Sequence, residues 1–206
     1  MEATSDREPP RTQLARSQAT RDRVLDAAVA CIADAGFQPS NLVRIAERAG
    51  MTTGAIQHQF GDKASLLAAV VERGFERLVE SLARLPAGSE RLEDRVAVVV
   101  RTLWEGYDAS STRASLEILL AMRADETFRS RSLEFLASVR ERIDRLWMGT
   151  FWELDVERSR HVEAQRLVFT TLNGLAVERL LVPGMPDPTP NLDRLAEGVV
   201  TIVREE

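Results

Sequence analysis

The chain has 206 residues, 44% of them hydrophobic, enough for a core in one or two domains. No apolar run is long enough to span a bilayer, and the N-terminus holds no apolar leader-like stretch, so a cytoplasmic protein without membrane contact is expected. The formal charge of −5 argues against a nucleic-acid partner only on average. Residues 11–63 carry seven basic and five acidic side chains, whereas residues 64–206 carry 19 and 24, so a mildly basic head precedes an acidic body. The single cysteine, Cys31, excludes an internal disulfide and, among Ala28, Val29 and Ile32, reads as a buried inert thiol.

Residues 1–16 are polar, include Pro9 and Pro10, and are expected to form a disordered tail. Val24, Leu25, Ala28, Val29 and Ile32 recur at helical spacing and predict a first helix over about 17–35, stopped by Gly36. Ser40 is the expected cap of a short second helix over about 41–48. Gly50 supplies a tight turn, Thr52 caps a third helix over about 53–59, and Asp62 caps a fourth over about 63–84. The two short helices and their turn, residues 40–63, would set an exposed polar helix on a compact support, an arrangement suited to the DNA major groove. Five further helices follow. Ser89 opens the fifth, residues 106–112 form a break, and the sixth covers about 113–124. The seventh runs from about 126 to 151 and the eighth from about 156 to 182. A proline-rich loop at 183–190 precedes the ninth, over about 191–204. No segment has strand alternation and none repeats. The expected fold is all-α with about nine helices, divided into the tail, a helix-turn-helix head over 17–62 and a helical body over 63–206.

The head residues resemble a known family. Thr20-Arg21, Ala27-Ala28, Gly36, Ser40, Ile45-Ala46, Ala49-Gly50, Gly54, Ile56, Phe60, Lys63 and Leu66 stand at the spacing of the TetR-type transcriptional regulators, and the likeness covers residues 20–67. Two positions depart from the family pattern. Gln57 stands where Tyr is usual and Gln59 where His is usual; the family's Tyr commonly touches a DNA phosphate, so the operator sequence is left open.

The resemblance implies a DNA-binding head on a ligand-binding and dimerisation body, with repression as the usual mode. In the head, Thr53, Gln57 and His58 are then the base-facing candidates, and Ala55 could meet a thymine methyl. Thr52, Lys63, Thr20 or Arg21, and Arg44 are candidates for phosphates. One short helix reads few base pairs, so a homodimer on a palindromic double-stranded operator is expected. The family dimerises through its last two helices; here the small-residue stretch 171–176 and helix 9 nominate Leu172, Gly174, Leu175, Val199 and Ile202. It also places an effector between helices 4 and 8. The candidate lining is Trp104, Tyr107, Leu119, Met122, Trp147, Phe151, Phe169 and Asn173, and few polar groups stand there (Tyr107, Glu117, Thr170 and Asn173), so a small, mostly apolar effector is expected. A protein-interaction module without DNA binding, and an activator of the same fold, are the alternatives. An enzyme is not expected. His58 and His161 are far apart, no catalytic, cofactor or metal-binding motif stands out, and Asp155 and Glu157 near His161 read as a solvated helix start rather than a metal site.

Overall fold

The computed structural model describes residues 13–84, 91–151, 156–182 and 184–204. Among these residues there are nine helices and no strand. They fall into two compact units that divide after Leu66, inside the fourth helix.

In the first unit, α1 spans Gln13–Ala35. It begins four residues before the expected start, because no Gly or Pro interrupts residues 13–16 and Gln, Leu, Ala and Arg all favour helix. Those four residues are therefore helical rather than tail; residues 1–12 lie outside the described residues. Gly36, at φ 80°, ends the helix and donates its N–H to the Ile32 carbonyl at 2.8 Å. The second helix, α2, spans Leu42–Ala49, and α3 spans Thr53–Phe60. The α2 cap is Asn41, not Ser40: the Asn41 side chain accepts from the Arg44 N–H at 3.0 Å. The buried Ser40 hydroxyl donates instead to the Gly36 carbonyl at 2.7 Å. Val24, Leu25, Ala28 and Ile32 of α1 are buried, as are Ile45, Ala46 and Ala49 of α2 and Ile56 of α3. Cys31 belongs to this core, its sulfur 3.8 Å from the Arg44 carbonyl.

The fourth helix, α4, spans Lys63–Ala83 and passes unbroken from the first unit into the second. The remaining helices are α5 (Leu92–Asp108), α6 (Ser110–Ala121), α7 (Glu126–Thr150), α8 (Arg158–Leu181) and α9 (Thr189–Arg204). Ser89 lies outside the described residues; α5 starts after Arg91, which makes no side-chain cap. The break expected at 106–112 shrinks to Ala109. Gly106 is a point of close approach rather than a helix end, since a Cβ there would lie 2.6 Å from Leu78 Cδ1 of α4. Gly74 does the same against α6: a Cβ would lie 2.2 Å from Ser115 Oγ and 2.7 Å from the Ser111 carbonyl oxygen. Around it the buried hydroxyls of Thr112 and Ser115 donate to the Gly74 and Val70 carbonyls. The ninth helix starts two residues earlier than expected because Asp187 accepts the Thr189 N–H at 3.1 Å. Pro190 then sits in the first turn, where a missing N–H costs nothing. Ion pairs Arg101–Asp193 (3.0 Å) and Arg204–Glu93 (2.6 Å) tie α9 to α5.

Candidate nucleic-acid interface and the body cavity

The turn between α2 and α3 is fixed by backbone geometry. Gly50 is left-handed at φ 64°, its N–H bonds the Glu47 carbonyl at 3.1 Å, and the Met51 N–H bonds the Ala46 carbonyl at 2.9 Å. This pair of bonds is a Schellman closure and satisfies carbonyls that the end of α2 would otherwise leave open. Thr52 caps α3 by accepting the Ala55 N–H at 3.1 Å, and Asp62 caps α4 by accepting the Ser65 N–H at 2.7 Å. The cap on α3 leaves the Thr52 O–H free to donate, and Thr52 is exposed at a helix N-terminus where a phosphate is favoured.

On α3, Ile56 is buried, Gln57 and His58 are exposed, and Thr53 and Ala55 are half-buried. Thr53 and Gln57 are one helical turn apart, so they share an outward face with His58 beside them. Gln59 points elsewhere: its amide reaches Ser17 Oγ of α1 at 3.4 Å. The Arg21 guanidinium lies 4.6 Å over the Phe60 ring, and Lys63 Nζ lies 5.4 Å from the Phe37 ring. Stacking uses the face of a guanidinium and leaves its edge donors available to an anion. Arg44 is exposed on α2. The Thr20 hydroxyl donates to the Arg16 carbonyl at 2.9 Å, so in this conformation it has no proton left for a phosphate. Arg48 pairs with Asp34 at 2.6 Å and clamps α2 to α1, a link with no local signal because the partners are 14 residues apart.

Inside the body, a cavity of about 440 Å³ opens among α4, α5, α7 and α8. Phe75, Leu78, Leu133, Leu136, Ile143 and Phe169 supply its apolar wall. Polar groups are Tyr107, Asp144, Gln165, Thr170 and Asn173, with Arg140 and Arg166 also on the lining. Burial pushes the Tyr107 hydroxyl above its ordinary range, against a smaller opposite effect of its hydrogen bond with Asn173. Asn173 also donates to the Phe169 carbonyl at 2.7 Å.

Residues 24–70 match the family model described as bacterial regulatory proteins, tetR family. This match makes the head of the chain similar to that of the TetR-type regulators. It is 26% identical over 171 residues to the HTH-type transcriptional regulator CymR of Pseudomonas putida, covering 82% of this chain and 84% of CymR. It is 30% identical over 118 residues to the HTH-type transcriptional repressor AcnR of Corynebacterium glutamicum, where it spans 56% of this chain and 57% of AcnR. The fold matches the transcriptional regulator FadR of Bacillus subtilis in complex with stearoyl-CoA at a TM-score of 0.64 and 17% identity, over 88% of this chain and 96% of that one. The protein is a DNA-binding transcriptional regulator and not an enzyme.

Three of the eight residues expected to line an effector site reach the cavity: Tyr107, Phe169 and Asn173. Trp104 is buried beneath the Arg179 guanidinium, 5.8 Å from its ring, and Phe151 is buried against Trp147 with ring centres 4.9 Å apart. Trp147 lines a separate small void, and Leu119 and Met122 are half-buried away from the cavity. Of the polar groups expected there, Glu117 is absent from the lining, while Arg140, Asp144, Gln165 and Arg166 were missed. The apolar periodicity of the seventh and eighth helices draws attention away from polar residues on the same inward face.

The dimer candidates differ in their exposure on the single chain. Leu172, Leu175 and Val199 are buried within the single chain, so their side chains are already used in its own core. Ile202 is half-buried, while Gly174 is exposed with open space around it. Leu167, Gly174 and Leu181 repeat every seven residues along α8 and are all exposed, which marks a face turned away from that core. His161, near the expected solvated helix start, is buried, whereas Glu157 is exposed; Asp155 lies outside the described residues.

No helix among the described residues is long and apolar enough to cross a membrane.

Proposed function

We propose that this regulator is a repressor that binds a palindromic double-stranded operator as a homodimer and leaves it when a small molecule fills the body cavity. The observation that carries the reading is the outward row of Thr53, Gln57 and His58 on a helix closed at its N-terminus by Thr52 and entered through the Gly50 turn. Gln57 replaces an aromatic phosphate contact with an amide that can pair with adenine N6 and N7. Thr52, Arg21, Arg44 and Lys63 would hold phosphates on either side of the groove. Repression follows the named role of AcnR, a relative over 118 residues. The whole protein's partners are inferred, since this chain spans only about half of that relative.

A second copy would dock on the α8 face of Leu167, Gly174 and Leu181, with Gly198 and Ile202 of α9 beside it. Gly198 supports close approach, having only Leu167 Cδ2 near its position, at 3.5 Å. The effector would have an apolar body, matching the aliphatic and aromatic wall, and a polar end. A ligand that fits only one arrangement of the cavity helices draws the dimer toward it, and its leverage equals its differential affinity for the two arrangements. The unbroken α4 is the element that would carry the change to the head.

Selection of bound sequences from a random duplex pool tests this reading. A near-palindrome with two half-sites, bound with an affinity that falls steeply as salt rises, is the expected result. Recovery of no enriched sequence would remove the operator reading.

A further inference from the structure

A second, smaller cavity of about 40 Å³ lies between α7 and α8. It is large enough to hold a water or a small polar group. Four of the residues that line it carry a buried polar atom with no hydrogen-bond partner among the described residues: Asp144 Oδ1, Trp147 Nε1, His161 Nδ1 and Gln165 Nε2. Trp147, His161 and Gln165 are 4%, 3% and 8% exposed. A buried polar atom left unpaired costs about 1–3 kcal/mol, and native proteins rarely gather several in one place without a purpose. Asp144 and Gln165 also line the 440 Å³ cavity. The polar pocket therefore shares a wall with the space assigned above to the effector.

We infer that Asp144, Trp147, His161 and Gln165 form a subsite for a single hydroxyl group, and that the effector is an apolar molecule bearing an alcohol or a phenol. This rests on the reading that the larger cavity holds the effector. The donor and acceptor inventory selects the group. Asp144 Oδ1 accepts only, Trp147 Nε1 donates only, and the Gln165 amide nitrogen donates. Burial lowers the affinity of His161 for a proton, which favours the neutral ring with one donor and one acceptor nitrogen. A hydroxyl donates one hydrogen bond and accepts two, so it can give to Asp144 while receiving from Trp147 and Gln165. A carboxylate brings no proton and places a second negative charge beside Asp144. An ammonium donates to Asp144 but leaves the Trp147 and Gln165 donors unmatched. Arg158 also lines the pocket, but it is exposed, and Met148 and Val162 close the rest with apolar surface.

The test is calorimetric titration of the full-length protein with matched probes: 4-propylphenol and 4-butylphenol, the corresponding alkylbenzenes, and the corresponding 4-alkylbenzoates. The phenols are expected to bind at least about tenfold more tightly than the alkylbenzenes of the same chain length, as one or two hydrogen bonds in a buried site allow. In Gln165→Leu, and independently in Trp147→Phe, that ratio is expected to fall below about threefold. Circular dichroism shows that each variant is folded; the conservative Trp147→Phe decides the matter if Gln165→Leu does not fold. Equal binding of phenols and alkylbenzenes to the wild type overturns the subsite and leaves the larger cavity as an apolar effector site. A preference for the benzoates overturns the hydroxyl assignment in favour of an anion. Binding of none of the probes overturns the effector reading of the larger cavity, and the subsite with it.

Discussion

The head and the body place their polar residues differently. In the head, Asn41, Thr52 and Asp62 each stand at a helix start and each accepts a backbone N–H. In the body, polar side chains are buried against neighbouring helices instead of capping a helix start. Ser111, Thr112 and Ser115 lie against α4, and Asp144, Trp147, His161 and Gln165 surround a void. End caps close a helix and fix the direction it presents. Buried polar groups such as Thr112 and Ser115 knit two helices together. The contrast teaches that the polar residues of the head set the ends and directions of its helices, while those of the body lie between helices and along its cavities.

The most severe way to break the comparison is Gly174→Trp. Gly174 is exposed with nothing near its missing Cβ, so the single chain should keep its helicity by circular dichroism. The dimer is expected to dissociate on size exclusion, and operator affinity to fall on the order of 100-fold or more as the second half-site contact is lost. An intact dimer would move the interface off α8.

Next in size is Gln57→Ala, expected to weaken operator binding by about 1–3 kcal/mol, as for loss of a bidentate base contact. The melting temperature should stay unchanged because Gln57 is exposed. Equal operator affinity in gel-shift titration would remove Gln57 from the reading face.

Two glycines sharpen the comparison inside each unit. Gly74 has no room for a Cβ, so Gly74→Ala should destabilise the body by about 2 kcal/mol through overpacking against Ser111 and Ser115. Gly50 has room but needs a left-handed backbone. Gly50→Ala should therefore cost about 1 kcal/mol and Gly50→Asn less, because Asn tolerates that conformation. Native-state hydrogen exchange separates the units. Loss of protection in the head alone after Gly74→Ala would contradict the assignment.

The smallest effect concerns pH. Burial holds the His161 imidazole below its ordinary value, with Asp144 and Arg158 sharing its pocket. The folded state thus binds this proton less readily than the unfolded state, whose value is about 6.5. The neutral ring's contribution to stability is fully present above that value and is lost as pH falls through the lowered folded value. Between pH 7.5 and 5.5 the wild type should lose about 2 °C more in melting temperature than His161→Gln. Parallel pH profiles would show that His161 is not desolvated.

The same contrast explains what could be read in advance. A cap or a turn is decided within four residues, so Thr52, Asp62, Gly36 and Gly50 were legible. Ser40 and Asn41 are adjacent cap-forming residues, and only the folded backbone assigned Asn41 to the Arg44 N–H and Ser40 to the Gly36 carbonyl. Gly106 looked like a helix end because local patterning cannot show Leu78 packing across it. Leu172, Leu175 and Val199 are buried in the single chain, a placement not legible beforehand because an apolar stripe has the same spacing whether it meets its own chain or another. The cavity lining was the least legible part. Arg140, Asp144, Gln165 and Arg166 reach it from two helices, and no sequence interval links them.

The sequence by itself therefore determined the nine helices among the described residues, the Thr52 and Asp62 caps, and the helix-turn-helix of the head. Each of these depends on hydrogen bonds and periodicities that close within one or two turns. Only the tertiary structure decided which face of α8 stays free, where the cavity opens and which polar atoms it leaves unpaired. Those depend on contacts between residues dozens of positions apart, and on space, which no single helix encodes.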